Sequence, residues 1–157
     1  MRMSPVIALR GLTKRYDHNE VLRGLDLDVP PGVCFGVLGP NGAGKTTTLR
    51  ALLGQTPVDS GSIEVFGLAI PEHGRAVRAR CGVVPQADNL DPDFTVIENL
   101  RVYARYFGLA GAETETRIRE LLAFVELGDR ADAPIATLSG GMKRRLTIAR
   151  ALINDPE

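Results

Sequence analysis

Gly39-Pro40-Asn41-Gly42-Ala43-Gly44-Lys45-Thr46 is the stretch on which the reading of this chain turns. The octet fits GxxxxGK[ST], a loop whose backbone N–H groups curl around phosphates while a lysine reaches the outer phosphates and a hydroxyl ligates Mg²⁺. Its flanks agree with that. Val33-Cys34-Phe35-Gly36-Val37-Leu38 reads as a fully buried strand feeding the loop, and residues 46–53 read as a helix whose N-terminal dipole faces the anion. A glycine-rich turn with an incidental lysine is the bland alternative. Strand, loop and helix in this order point instead to a nucleoside triphosphate.

Upstream, residues 6–16 have a strand-like pattern, and Leu25-Asp26-Leu27-Asp28-Val29 alternates strictly, as a sheet with one wet face does. Pro30-Pro31-Gly32 turns the chain into the loop's strand. Between them lies Tyr16, following Lys14 and Arg15. An aromatic at a sheet edge is more often packing, but beside a nucleotide it can stack on a purine.

Downstream, Gly54 and Pro57 close the loop helix, and Ser62-Ile63-Glu64-Val65-Phe66 alternates as a further strand. The basic residues of 75–80 read as a solvated helix face leading into Cys81-Gly82-Val83-Val84-Pro85, a short buried strand. Gln86 follows directly. An amide there can ligate Mg²⁺ or orient water, although a lone Gln is ordinarily an exposed loop residue. Thr95-Val96-Ile97-Glu98 has capping-box spacing and opens a helix to about Phe107, stopping at Gly108. Ile118, Leu121, Leu122 and Val125 make one apolar stripe on a second helix. Then come Leu138-Ser139-Gly140-Gly141-Met142-Lys143 and a helix over 144–153, with Ser139 a good N-cap and the two glycines a possible second anion cradle. The cluster Lys143, Arg144 and Arg145 reads as a solvated face rather than a nucleic-acid site.

The chain's 157 residues make one domain. Lys plus Arg and Asp plus Glu number 19 each, so no global charge draws it to nucleic acid or an anionic membrane. Cys34 and Cys81 lie in apolar runs without metal-ligand spacing and read as buried reduced thiols of a cytosolic protein. No apolar stretch approaches the ~18 residues of a membrane span, and none reads as a signal peptide. Work at a membrane would need another protein's helices.

GPNGAGKT, Gln86 and LSGGMK in that order, with a helical insertion between the last two, strongly resemble the ATP-binding subunit of ABC transporters over essentially the whole chain. That resemblance implies an α/β P-loop NTPase core with an antiparallel β-subdomain and a helical insertion. The β-subdomain and loop core would span 1–86, the helical subdomain 87–137, and the signature with its helix 138–157. Carried over residue by residue, it makes Tyr16 the adenine-stacking aromatic. Gly39, Pro40, Asn41, Gly42, Ala43, Gly44, Lys45, Thr46 and Thr47 become the Walker A loop, with Lys45 on the β- and γ-phosphates and Thr46 on Mg²⁺. Gln86 becomes the Q-loop glutamine, catalytic with Lys45, sharing Mg²⁺ with Thr46, and coupling nucleotide state to the transmembrane partner. Ser139, Gly140 and Gly141 become the signature that caps the γ-phosphate of ATP held by the opposite subunit. The partners implied are a transmembrane permease and a second copy in a head-to-tail homodimer, with ATP and Mg²⁺ bound and no nucleic acid. The place implied is the cytoplasmic face of the inner (plasma) membrane.

Met142 stands where the family's signature usually has Gln, and the strings around all three motifs look like the drug- and lipo-oligosaccharide-export branch, most similar to the nodulation-factor export ATPases. Soluble ABC ATPases of translation or DNA repair fit less well, because the insertion is short and no coiled coil interrupts the chain. A Walker B strand, an apolar run ending in Asp beside a carboxylate base, does not occur within the 157 residues. Residues 121–126 come nearest, but their stripe is helical. In the family that strand would begin just after Glu157, so the chain reads as a truncated N-terminal fragment. Two expectations follow: very slow hydrolysis by this chain alone, and an unpaired apolar edge that lowers solubility. The alternative to an exporter ATPase is therefore a non-hydrolysing nucleotide-binding module without transport activity. His18 and His73 receive no role.

Overall fold

A computed structural model describes residues 4–157. The chain divides into two compact units, Met1–Arg78 and Ala79–Glu157.

The first unit is built on an antiparallel sheet. Strands β1 (Ile7–Tyr16), β2 (Asn19–Val29), β3 (Ser60–Val65) and β4 (Leu68–Ile70) lie in the order β2-β1-β3-β4. The β1–β2 hairpin pairs Tyr16 with Asn19, and Asp17 in its turn takes φ +51, a conformation Asp tolerates. Along β2 the alternation holds: Leu25, Leu27 and Val29 are half-buried while Asp26 and Asp28 are exposed. Where β1 meets β3 the register shifts between Arg10 and Thr13, and a Cβ on Gly61 would lie 2.5 Å from the Arg10 carbonyl oxygen. Only glycine lets the two backbones approach so closely. Helix α1 (Lys45–Leu52) packs against β3 and buries Thr48 and Ala51, and α2 (Gly74–Ala79) carries the basic stretch, mostly exposed as expected.

The second unit packs α3 (Val96–Tyr106), α4 (Ala112–Phe124) and α5 (Gly140–Ala151) around a core that includes Leu100, Ile118, Leu122, Leu146 and Ile153. The stripe Ile118, Leu121, Leu122 and Val125 is buried throughout. Thr95 and Glu98 form the expected capping box: the Thr95 N–H donates to Glu98 Oε2 at 2.8 Å and the Glu98 N–H to Thr95 Oγ1 at 3.4 Å. The Thr95 N–H and the Thr95 hydroxyl, which donates to Glu98 Oε2 at 2.7 Å, hold the Glu98 carboxyl below its ordinary range. Asn99, buried, accepts from the Asp91 N–H at 2.9 Å and donates to the carbonyls of Asp91 and Thr95, so the segment ahead of α3 is pinned by a satisfied amide.

Several expectations need correction. Residues 33–38 and 81–85 form no strand, and Val33, Phe35, Val37, Leu38, Val83 and Val84 are exposed, Leu38 to 95%. A strand exists through its ladder, and among the described residues no neighbour bonds to 33–38, so an apolar run suited to a sheet interior lies open. Cys34 is accordingly exposed, and Cys81 is only half-buried, although burial still raises its thiol pKa. Residues 81–85 are held differently. A Cβ on Gly82 would lie 2.3 Å from the Ala151 carbonyl oxygen, and Asn154 Nδ2 donates to the carbonyls of Ala79 and Cys81. Three boundaries also move. Helix α1 starts at Lys45, β3 starts at Ser60, and α5 starts at Gly140 rather than 144, because Ser139 caps it and brings both glycines into its first turn.

Candidate functional site

The loop between residue 38 and α1 is shaped by its glycines. Gly42 and Gly44 take φ +84 and +86, which a side chain would strain. The Ala43 N–H donates to the Pro40 carbonyl at 3.3 Å, closing a turn. Gly44 is also jammed sterically, since a Cβ there would lie 2.8 Å from Leu22 Cδ2 and 3.0 Å from the Val21 carbonyl oxygen. The loop therefore enters its helix directly against β2.

Gly44 caps α1 without a side-chain hydrogen bond, and the first helical bond runs from the Thr48 N–H to the Gly44 carbonyl at 2.8 Å. The N–H groups of Lys45, Thr46 and Thr47 consequently have no partner within the helix and stand at the positive end of its dipole. Lys45 Nζ donates to the carbonyls of Gly39 and Pro40, both at 2.7 Å, so the ammonium spans the loop. Among the described residues no carboxylate pairs with it, and its charge is balanced only by carbonyl dipoles. Asn41, Gly42, Ala43 and Thr46 are exposed, Thr47 is half-buried, and Thr48 is buried with its hydroxyl donating to the Gly44 carbonyl at 3.0 Å. Beside the loop lies an open groove of about 600 Å³, lined by Leu25, Leu27, Phe35, Val37, Lys45 and Thr48 among others. Free amides, an uncompensated ammonium and an open mouth suit a polyphosphate.

Tyr16 ends β1, 45% exposed, with Lys14 Nζ 5.3 Å from its ring centroid.

In the second unit Gln86 is exposed and stands in a bend. Ser139 Oγ accepts from the Met142 N–H at 3.3 Å, and Gly140 and Gly141 are exposed on the first turn of α5. Sequence reasoning missed what the basic side chains of α5 do. Arg144 donates to the Pro85 carbonyl, and Arg150 donates to the carbonyls of Asn89 at 2.6 Å and Asp88 at 2.9 Å while lying over the Tyr103 ring at 5.0 Å. The helix that Ser139 caps thus grips the segment carrying Gln86 from both sides. A spacing rule for basic residues does not reveal this, because the acceptors are backbone carbonyls about 60 residues away. Bonds from a charged donor are worth about 1.5–3 kcal/mol. Arg150→Ala is therefore expected to speed amide hydrogen exchange over residues 86–90 by on the order of tenfold or more, with Arg150→Lys in between.

With three motifs, one antiparallel sheet and one helical unit in this order, the chain belongs to the ABC transporter family, whose profile matches residues 22–157. Curated relatives called Nod factor export ATP-binding protein I are similar along nearly all of it. The protein from Ralstonia nicotianae is 56% identical over 154 residues, 98% of this chain and 48% of its own length, and that from Burkholderia thailandensis is 57% identical over 157 residues, 100% and 51%. This chain thus spans about half the length of the curated relatives it matches. A solved structure described as the ATP binding subunit of an ABC transporter superposes with a TM-score of 0.84 at 29% identity, covering 96% of this chain and 63% of its own. The fold is that of an ABC ATP-binding subunit, in partial form. Tyr16 lies ahead of the profile match, within the stretch shared with the curated relatives. No helix among the described residues is long and apolar enough to cross a membrane.

Proposed function

We propose that this chain is the nucleotide-binding part of an exporter ATPase, holding the triphosphate of ATP on residues 39–47 and its adenine on Tyr16. The observation that carries the reading is Lys45, whose ammonium spans the loop mouth without a carboxylate partner among the described residues. Lys45 and the first-turn amides would stabilise the charge on the transferring phosphoryl group. The residues also fit Mg²⁺, which is held through one or two protein ligands plus substrate phosphates rather than by a protein cage. Thr46 offers an exposed hydroxyl on the first turn of α1, and Gln86 would join it as the second protein ligand. When bound, the ion neutralises charge on the β- and γ-phosphates.

Ser139, Gly140 and Gly141 would meet the γ-phosphate held by a second copy, arranged head to tail. Gln86 would report nucleotide state to a membrane permease on the cytoplasmic side of the inner membrane. The relatives' name supports a Nod factor as cargo, and the resemblance to the export branch would make the cargo a lipo-oligosaccharide or a drug-like molecule. A second reading is a module that holds nucleotide without turnover. The deciding experiment reconstitutes the protein with a candidate ABC permease in a membrane. Phosphate release that depends on both proteins supports the exporter. Nucleotide binding without release in either arrangement supports the module.

A further inference from the structure

Asp59 and Lys14 are not part of the loop, yet they converge on the residue that the nucleotide reading needs most after it. Lys14 Nζ donates to Asp59 Oδ1 at 2.9 Å, and the other carboxylate oxygen accepts the Arg15 N–H at 2.6 Å. One carboxylate therefore grips both residues that precede Tyr16. The Asp59 N–H adds a bond to the Thr13 carbonyl at 2.9 Å, and Thr13 Oγ1 meets Ser60 Oγ at 2.7 Å. Lys14 is only 12% exposed, which is unusual for a lysine and fixes a side chain that would otherwise sample many rotamers. Its ammonium, held there, lies over the Tyr16 ring, whose only ring partner among the described residues it is. Across the hairpin Lys14 pairs with Leu22, the side chain that abuts Gly44. The same pair of strands thus sets Tyr16 and the phosphate loop in one frame.

We propose that Lys14 and Asp59 are positioning residues that hold the Tyr16 ring as a one-sided platform for the purine of the bound nucleotide. This deepens the nucleotide reading and rests on it. With the ammonium on one face, the ring is fixed in orientation and offers its other face to a flat base, so the ordering cost of stacking is met before the ligand arrives. The Lys14 and Arg15 donors keep the Asp59 carboxyl below its ordinary range, so the grip stays charged at neutral pH.

The test measures affinity for MgATP and for inorganic tripolyphosphate, which has the phosphates but no base, in the full chain. Tyr16→Ala is expected to weaken ATP on the order of tenfold. Lys14→Met and Asp59→Asn are expected to weaken it about two- to fivefold, with Lys14→Arg near wild type. None of the four is expected to change tripolyphosphate affinity, and Lys14→Met is expected to add no loss on a Tyr16→Ala background. The sequence contains no tryptophan, so Tyr16→Trp supplies a single indole whose quenching by ATP reports stacking directly, and Lys14→Met is expected to reduce that quenching. Equal losses for both ligands, or an undiminished Lys14→Met effect without Tyr16, would overturn the positioning role. If Tyr16→Ala itself leaves ATP affinity intact, the adenine assignment falls and the positioning role falls with it.

Discussion

Lys45→Ala in the full-length gene product is expected to lower ATP turnover by on the order of 10²–10³ or more, the scale seen when one donor to a developing charge is removed. The geometry explains why the effect exceeds that of a surface charge. The Lys45 ammonium is held by the Gly39 and Pro40 carbonyls, both at 2.7 Å, at the mouth of a loop whose first-turn amides lack helical partners. It is positioned before any anion arrives, so its attraction is not spent on reorganisation. Lys45→Arg is expected to restore little, because a planar guanidinium does not reproduce a compact ammonium donating to two carbonyls in a tight loop. Steady-state phosphate release checks both variants. Retention of more than about a tenth of wild-type turnover by Lys45→Ala would contradict the role given to the lysine.

Leu100→Ala is expected to cost about 2–5 kcal/mol of stability, the range for a fully enclosed leucine. Leu100 has no exposure and lies in the core formed by α3, α4 and α5, with Ile118, Leu122 and Leu146 equally or almost equally enclosed. Helices of this length are marginal alone, so their stability comes from this shared face. The ion pair between Arg101 and Glu115, which joins α3 to α4 with two bonds of 2.8 Å, is partly exposed on both sides and contributes at most about 1 kcal/mol. Urea unfolding monitored by circular dichroism is expected to show the large shift for Leu100→Ala and little for Glu115→Gln.

What was legible in the sequence was local. The octet at 39–46 fixes its own turn, its lysine and the start of its helix within a few residues, and the structure follows it closely. Thr95 and Glu98 specify a cap by their spacing, and Ile118, Leu121, Leu122 and Val125 specify a buried face by theirs. Residues 33–38 show the limit. Their composition describes an environment, burial on both faces, but a strand needs neighbours to bond with, and hydrophobicity says nothing about whether those lie within the same stretch. Residues 144–150 show another limit. The charge of Arg144 suggested solvent and Arg150 drew no reading, while their carbonyl partners at 85, 88 and 89 come from tertiary structure alone. For α5 two local rules competed. Glycine is a poor helix former, but the capping serine at 139 outweighs it and sets the start at Gly140.

Calorimetric titration of MgATP into the chain tests the central claim, that residues 39–47 hold a nucleoside triphosphate. Saturable binding of one ATP per chain, competed by tripolyphosphate and lost in Lys45→Ala, is the predicted result. A folded chain, shown by its circular dichroism, that takes up no ATP, or that binds it equally well after Lys45→Ala, would contradict the account.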